Sequence, residues 1–370
     1  MKKLRVFIIL GTRPEAIKLA ILYKILKQIS ELEVCLCFTG QHIDLTPPVL
    51  KLFGIEPDFI LDLKNADKSM SVKLAEMLVQ IEGPAGAFQP DWILVQGDTL
   101  SAYAGAQYGF LNGISVAHIE AGLRSGKLTS PYPEEIFRRF IDAVAELHFA
   151  PSRIAADNLK AEGINNSTIH VTGNTGKDAF LYVLNNTDQT GIDTGMDNFI
   201  EAQKNQGRSV ILLTMHRRES LGPYWDHIAD EIQNLLHKNN HAVIYIGHPH
   251  PASLGLSFES DRFDNFISTG PVRFDRFVLL LNACDLVLTD SGGVQEEAAY
   301  LGLPTMVLRS HSERDEIIRS GSGRLYGGRN LELEIVETLD SHKADTRIYG
   351  DGKASERIAE VFRTLAIGQD

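Results

Sequence analysis

The sequence predicts an α/β protein with two Rossmann-like domains built on parallel sheets, and three observations lead there. Short apolar runs rich in β-branched residues recur at 6–10, 34–38, 92–95, 115–117, 147–150 and 169–171, and again at 210–213, 243–246, 286–289 and 305–308. Helical patterns separate these runs, and near-continuous apolar strands alternating with helices mark parallel sheets covered on both faces. The chain has 370 residues, more than one ordinary core accommodates, so each series of strands is assigned its own domain.

The first strand follows a basic start that imitates a signal peptide. Its apolar run is short and leads straight into Gly11-Thr-Arg-Pro-Glu15 with no small-residue cleavage site, so 6–10 reads as a core strand. In the helix that follows, Ile17, Ile21, Ile25 and Ile29 recur at four-residue spacing and are expected to form its buried stripe, with Pro14 in the first turn. Cys35 and Cys37 share one face of the second strand and read as small packing residues. The polar interval 185–205 is the main drop in hydrophobicity, which puts the change of domain just before or within it, near Gly173. The domains are then 1–173 and 174–352, followed by a last helix from about 353 after the Gly350-Asp-Gly352 break.

The stretch 286–302 is the most informative. It reads as a buried strand, a tight polar turn at 290–293 and a helix ended by Gly302. A turn of Ser291, Gly292 and Gly293 at a helix start leaves backbone N–H groups pointing outward, where the helix dipole adds partial positive charge. The natural guest is an anion such as phosphate. Glu296 and Glu297 are placed in the first helical turn, where they suit the dipole and can bind hydroxyls. Read blandly, the same stretch is only a well-capped helix.

Composition limits the function. A formal net charge of −12 argues against a general nucleic-acid or anionic-membrane binder. Three cysteines make no disulfide framework and suit a reducing cytoplasm. No run is long enough to span a bilayer, and no metal-type Cys/His spacing occurs beyond the weak pair His248 and His250. The expectation is a soluble cytoplasmic protein without a metal.

The unusual polar clusters follow the strands. They are Gly11-Thr-Arg-Pro-Glu15, Thr39-Gly-Gln-His42, Gln96-Gly-Asp-Thr99 and His118-Ile-Glu-Ala-Gly-Leu-Arg124, then Met215-His-Arg-Arg-Glu219, Gly247-His-Pro-His250, Asp290-Ser-Gly-Gly293 and Arg309-Ser-His-Ser-Glu-Arg314. Ligands of open α/β sheets bind at the carboxyl ends of the strands. Two such crevices facing one another would make an interdomain active site. Gly11-Thr-Arg-Pro-Glu15 lacks the glycine spacing of a dinucleotide fingerprint and no Walker-type loop occurs, so no nicotinamide or ATP chemistry, and no other cofactor, is expected.

Gly11-Thr-Arg-Pro-Glu-Ala-Ile-Lys18, Gly40-Gln-His42, Gly97-Asp-Thr99, His118-Ile-Glu-Ala-Gly-Leu-Arg124, Pro133-Glu-Glu135, Thr172-Gly-Asn-Thr175, His216-Arg-Arg-Glu-Ser220, Thr289-Asp-Ser-Gly-Gly-Val-Gln-Glu-Glu-Ala298, Glu313-Arg314 and Tyr349-Gly-Asp-Gly-Lys-Ala-Ser355 resemble the non-hydrolysing UDP-N-acetylglucosamine 2-epimerases along the whole chain. The resemblance implies a glycosyltransferase-B-like arrangement and a homodimer. It implies a C-terminal helix, about 353–370, packed back on the first domain, and a UDP-sugar held mainly by the second. Carried over by position, Ser291, Gly292 and Gly293 bind the diphosphate, Glu297 the ribose hydroxyls, and Phe277 lies against uracil. Arg13, His216 and Arg314 line the diphosphate and sugar site, with Lys18 and Arg138 as further substrate contacts. Asp98, Glu120 and Glu134 match the family's catalytic acids, and His216 joins them in the catalytic set.

The residues suit that chemistry. Carbon 2 of an N-acetylhexosamine is too weakly acidic for a carboxylate until departing UDP creates oxocarbenium character at carbon 1. Elimination to a 2-acetamidoglucal and re-addition of UDP inverts carbon 2, with cations and N–H donors at the diphosphate and at least two acid/base groups at the sugar. Structural readings remain open. Asp98 would only form a turn with Gly97. Glu134 would complement a helix dipole and pair with Arg138 four residues on. Phe137 and the segment 309–316 depart from the family pattern where the sugar is expected, which points to a modified UDP-hexosamine. Ile43 and Asp44 replace the pair that accompanies a regulatory UDP-N-acetylglucosamine site. A hydrolysing relative, a glycosyltransferase and a catalytically silent nucleotide-sugar sensor are the competing readings.

Overall fold

The computed structural model describes residues 2–63, 68–129, 131–187, 194–215, 223–247, 262–309 and 314–368. It divides into two units, one of Met1–Leu181 with Gly350–Asp370 and the other of Tyr182–Tyr349.

The first unit runs β1 (Leu4–Leu10), α1 (Arg13–Leu26), β2 (Leu32–Phe38), α2 (Pro47–Leu52), β3 (Phe59–Ile60), α3 (Met70–Phe88), β4 (Trp92–Gln96), α4 (Leu100–Leu111), β5 (Ser115–Ile119), α5 (Glu134–Val144), β6 (Leu147–Ala150), α6 (Arg153–Ala161), β7 (Ile169–Val171) and the start of α7 (Thr175–Asn186), within which the division between the units falls. Its strands form one parallel sheet in the order β3-β2-β1-β4-β5-β6-β7. Val6 to Leu10 are buried because helices cover both faces. On one face Phe7, Ile9, Ile93 and Val95 pack with Met77 and Ile81 of α3, Tyr108 of α4 and Ile141 of α5. Each such fully buried side chain contributes about 1.5–3 kcal/mol.

The second unit runs α8 (Thr194–Asn205), β8 (Ser209–Thr214), α9 (Pro223–Lys238), β9 (His241–Ile246), β10 (Phe266–Thr269), α10 (Phe274–Ala283), β11 (Leu286–Thr289), α11 (Gly292–Leu301), β12 (Thr305–Val307), α12 (Asp315–Ser320), β13 (Gly323–Leu325) and α13 (Leu331–Ser341). Its parallel sheet has the order β10-β9-β8-β11-β12-β13. Ile211, Leu213, Val243 and Leu288 pack with Trp225, Ile228 and Ile232 of α9 and Ile335 of α13. Helix α14 (Ala354–Ile367) then belongs to the first unit, where Phe362 meets Trp92 edge-on and Phe149 at a tilt.

Every predicted strand is present, and β3, β10 and β13 are additional. The expected stripe on the first helix is corrected. α1 buries Ala16, Leu19, Ala20, Leu22, Tyr23 and Leu26, whereas Ile17, Ile21 and Ile25 are half-buried and Ile29 lies beyond the helix end. With α14 against α1 the helix is partly covered on more than one side, so the isoleucines mark a flank of its buried face. Cys35, Cys37 and Cys284 are buried, and burial pushes each thiol up to about 12, as expected of packing residues. Among the described residues no helix is long and apolar enough to cross a membrane.

Candidate active site

In both sheets the strand order reverses once, between β1 and β4 and between β8 and β11. Such a reversal opens a crevice beyond the strand ends. The polar turns after β1 and β4 flank the first crevice, and the turn after β11 flanks the second.

After β1, Thr12 and Glu15 form a capping box at the start of α1. Glu15 Oε2 accepts from Gly11 N at 3.1 Å, Thr12 N at 2.8 Å and Thr12 Oγ1 at 2.7 Å, while Thr99 Oγ1 donates to Oε1 at 2.8 Å. One buried carboxylate therefore ties the turn after β1 to the turn after β4. Burial outweighs those hydrogen bonds and pushes Glu15 up to about 7. Only glycine fits at position 11, because a Cβ there would lie 2.0 Å from Ser101 Oγ and 2.2 Å from Thr39 Oγ1. Arg13 opens α1 and is half-buried, and its side chain makes no hydrogen bond or ion pair among the described residues.

Lys18, one turn along α1, reaches across to the end of β5. Its Nζ lies 2.7 Å from each carboxylate oxygen of Glu120, and Gln96 Nε2 donates to Oε2 of the same group. Glu120 is 9% exposed and has a φ of +69°, a conformation that costs a non-glycine residue energy and clusters at functional positions. Backbone N–H to Phe149 O holds it there at 3.0 Å.

Asp98 sits in the turn after β4, where Arg138 of α5 donates from Nε at 3.0 Å and also from Nη2. Arg138 Nη1 meets Glu135 Oε2 at 3.1 Å. The guanidinium thus pairs with Asp98 and, one turn back, with Glu135. Glu135, not Glu134, is its partner within the helix. Glu134 opens α5 and is half-buried. Phe137 is a further correction. It stacks on Tyr103 with ring centroids 4.5 Å apart and joins the hydrophobic core, a packing role that the sequence reading did not give it.

In the second unit α11 begins at Gly292, directly after Ser291. Ser291 makes no side-chain cap, which corrects the reading of a well-capped helix, and its N–H bonds Thr289 Oγ1 at 3.0 Å. The first intrahelical bond to close is Gln295 N to Ser291 O at 3.1 Å, so the N–H groups of Gly292, Gly293 and Val294 precede it. Gly293 is exposed, and nothing lies closer to a Cβ there than Ser291 Oγ at 4.0 Å. Because the helix starts at the glycine pair, Glu296 and Glu297 fall in its second turn, not its first. Glu296 is buried and accepts from Arg314 Nε at 2.5 Å, which gives that arginine an ion-pair partner. Glu297 is half-buried. Phe277 lies on the buried side of α10. His216 and its neighbours 217–220, His248 and His250, and residues 310–313 lie outside the described residues.

Sequence reasoning named Gln96, His118 and Glu135 within motifs but gave them no role, and it missed Asp142, whose carboxylate meets the His118 ring at 2.6 Å. A signal was available for Asp142. Glu134, Arg138 and Asp142 recur at four-residue spacing, which puts three charged residues on one face of α5.

The family model described as UDP-N-acetylglucosamine 2-epimerase matches residues 24–363. A UDP-N-acetylglucosamine 2-epimerase of Salmonella typhimurium is 36% identical, over 99% of this chain and 100% of its own. The structure of a UDP-GlcNAc 2-epimerase from Neisseria meningitidis bound to UDP-GlcNAc superposes with a TM-score of 0.86 at 32% identity, covering 98% of this chain and 100% of that one. One from Methanocaldococcus jannaschii, in complex with UDP-GlcNAc and UDP, gives 0.80 at 31% identity, with 98% and 99% covered.

Proposed function

On the premise that this chain belongs to the UDP-N-acetylglucosamine 2-epimerase family, we propose that it inverts carbon 2 of UDP-N-acetylglucosamine reversibly and without net hydrolysis, giving UDP-N-acetylmannosamine. The observation that carries this reading is the pair of carboxylates at the first switch point, Glu120 and Asp98, each fixed by a cation on a neighbouring helix.

The reaction divides into two halves. In the first, the C1–O bond to UDP breaks and its electron pair leaves with the diphosphate. A carboxylate takes the carbon-2 proton, and a C1=C2 double bond forms the 2-acetamidoglucal. In the second, a carboxylic acid returns a proton to the opposite face of carbon 2 and the diphosphate oxygen re-forms the bond to carbon 1. Two of Asp98, Glu120 and Glu134 exchange the protons and the third orients. Charge develops on the diphosphate, so the N–H groups at Gly292 and Gly293, with Arg13 and His216, supply the main stabilisation. Losing one such contact costs roughly 3 kcal/mol of barrier. The cycle needs no redox step, because the proton and UDP are both returned.

The hydrolysing relatives resemble Gly-Thr-Arg-Ala-Asp near the start, so Pro14 and Glu15 in this chain favour the non-hydrolysing branch. The packing of Phe137 against Tyr103 supports the unmodified sugar as substrate. A cytoplasmic homodimer completes the reading, supported by free buried cysteines and family membership.

Incubation with UDP-N-acetylglucosamine in deuterium oxide, followed by NMR at carbon 2, tests it. The expected result is deuterium at carbon 2 with the UDP linkage intact at equilibrium. Stoichiometric release of UDP and free sugar would assign the hydrolysing reaction instead, and epimer without deuterium would exclude the elimination route.

A further inference from the structure

Helix α5 carries two charged residues that act at different ends of the same turn. Arg138 holds the Asp98 carboxylate. Four residues on, Asp142 is 1% exposed and its Oδ1 lies 2.6 Å from His118 Nδ1, while His118 Nε2 donates to the carbonyl of Gly97 at 2.8 Å. His118 belongs to β5, two residues before Glu120, and Gly97 immediately precedes Asp98. The ring therefore bridges the end of the strand that presents one carboxylate and the turn that presents the other.

The chain around this bridge is under constraint at several points. Gly97 has a φ of +70° and Glu120 of +69°, so both carboxylates sit beside or at left-handed backbone. Gly122 N donates to Asp142 Oδ2 at 3.2 Å, and Arg124 Nη2 approaches the same oxygen at 2.8 Å. A Cβ at Gly122 would fall 2.2 Å from Ala155 O, which fixes the loop after Glu120 against α6. Both ring nitrogens are thus engaged, one with Asp142 and the other with Gly97. Burial works to raise Asp142, but the charges of His118 and Arg124 hold it below its ordinary range. A packing histidine needs one partner; this one spans two catalytic turns and is backed by an anion. We propose that His118 and Asp142 are positioning residues of the acid–base centre, holding the Asp98 turn at a fixed offset from Glu120. The assignment rests on the acid–base reading of Asp98 and Glu120 given above.

His118→Gln and His118→Asn separate the two ring contacts. Glutamine keeps a donor near the Nε2 position facing Gly97, and asparagine keeps one near Nδ1 facing Asp142. Misplacing a reacting group by about 1 Å costs about 100-fold. The expected result is a kcat reduced by about 100-fold for His118→Asn and by no more than about threefold for His118→Gln, with KM and the Kd for UDP unchanged in both. The ratio of deuterium wash-in at carbon 2 to net epimer is expected to change in His118→Asn only, because displacing one carboxylate alters how the two faces share the intermediate. Equal kcat and an unchanged exchange ratio in the two variants would overturn the proposal. Should His118→Asn fail to fold, Asp142→Asn carries the test: a kcat lowered about tenfold at unchanged KM supports the proposal, and wild-type kcat overturns it. A wild-type enzyme that neither epimerises nor exchanges overturns the functional reading and the positioning role with it. A wild type that turns over, beside a His118→Asn variant of equal kcat, overturns the positioning role alone.

Discussion

The starts of α1 and α11 follow strands that border the switch points of their sheets, yet they are opposites. α1 brings its own acceptor. Thr12 and Glu15 occupy the donors at Gly11, Thr12 and Glu15 N, and the same carboxylate reaches Thr99. α11 has Ser291 and two glycines at the corresponding place and no side-chain cap. A helix start filled by the chain is structural, and one left to the backbone keeps its dipole and its N–H groups for a guest. In sequence the difference is a Thr-x-x-Glu box against Ser-Gly-Gly-Val, which separates a scaffold from an anion-holding turn even though both read as strand, glycine, helix.

The largest effect is expected from breaking the filled start. Glu15→Ala leaves buried N–H donors without their acceptor and should cost about 3 kcal/mol of stability, read from urea denaturation at constant m-value. A loss under about 1 kcal/mol would remove the contrast. The same residue gives a pH test. Its folded pKa is raised from 4.5 to about 7, so its contribution is fully present below about 4.5 and is lost as pH rises through 7. Wild type should therefore lose more stability between pH 5 and pH 8 than Glu15→Gln does, on unfolding curves at each pH. An equal loss in the two proteins would show Glu15 titrating normally.

Filling the open start comes next. Gly293→Asp adds a carboxylate where, among the described residues, nothing but Ser291 Oγ is near. It suits the dipole, so the ligand-free protein should keep its stability or gain about 0.5 kcal/mol. The protection given by UDP at about 100 times its wild-type Kd, about 2.7 kcal/mol, should disappear. Retained protection would place the diphosphate elsewhere. The smallest effects are a matched pair measured by chemical denaturation without ligand. Thr12→Ala should cost about 1 kcal/mol as a lost cap, and Ser291→Ala should stay within about 0.5 kcal/mol because it caps nothing. Equal losses would mean that Ser291 does cap α11 in solution.

Much of the fold was legible because buried parallel strands are apolar throughout, as in Val6 to Leu10 and Leu286 to Thr289. β3, β10 and β13 escaped because they are two to four residues long and only partly buried. The isoleucine stripe of α1 misled, since a helix touched by both a sheet and α14 has no single apolar face. At the site, the carboxylates Asp98 and Glu120 stood out as charges next to apolar strands. What holds them did not. Lys18 meets Glu120 across 102 positions and Arg138 meets Asp98 across 40, and pairings of that reach depend on the sheet order. Phe137 looked like a substrate determinant by its place in a motif, and only the rotation of α5 reveals that it faces Tyr103.

The return of the chain after residue 349 has a consequence for biosynthesis. The unit encoded first lacks α14, whose Phe362 is fully buried beside Trp92 and Phe149, until the whole of Tyr182–Tyr349 has been made. A nascent chain thus presents an unfinished apolar seam on the first unit while the second has all its strands. The order of translation and the order of completion are reversed.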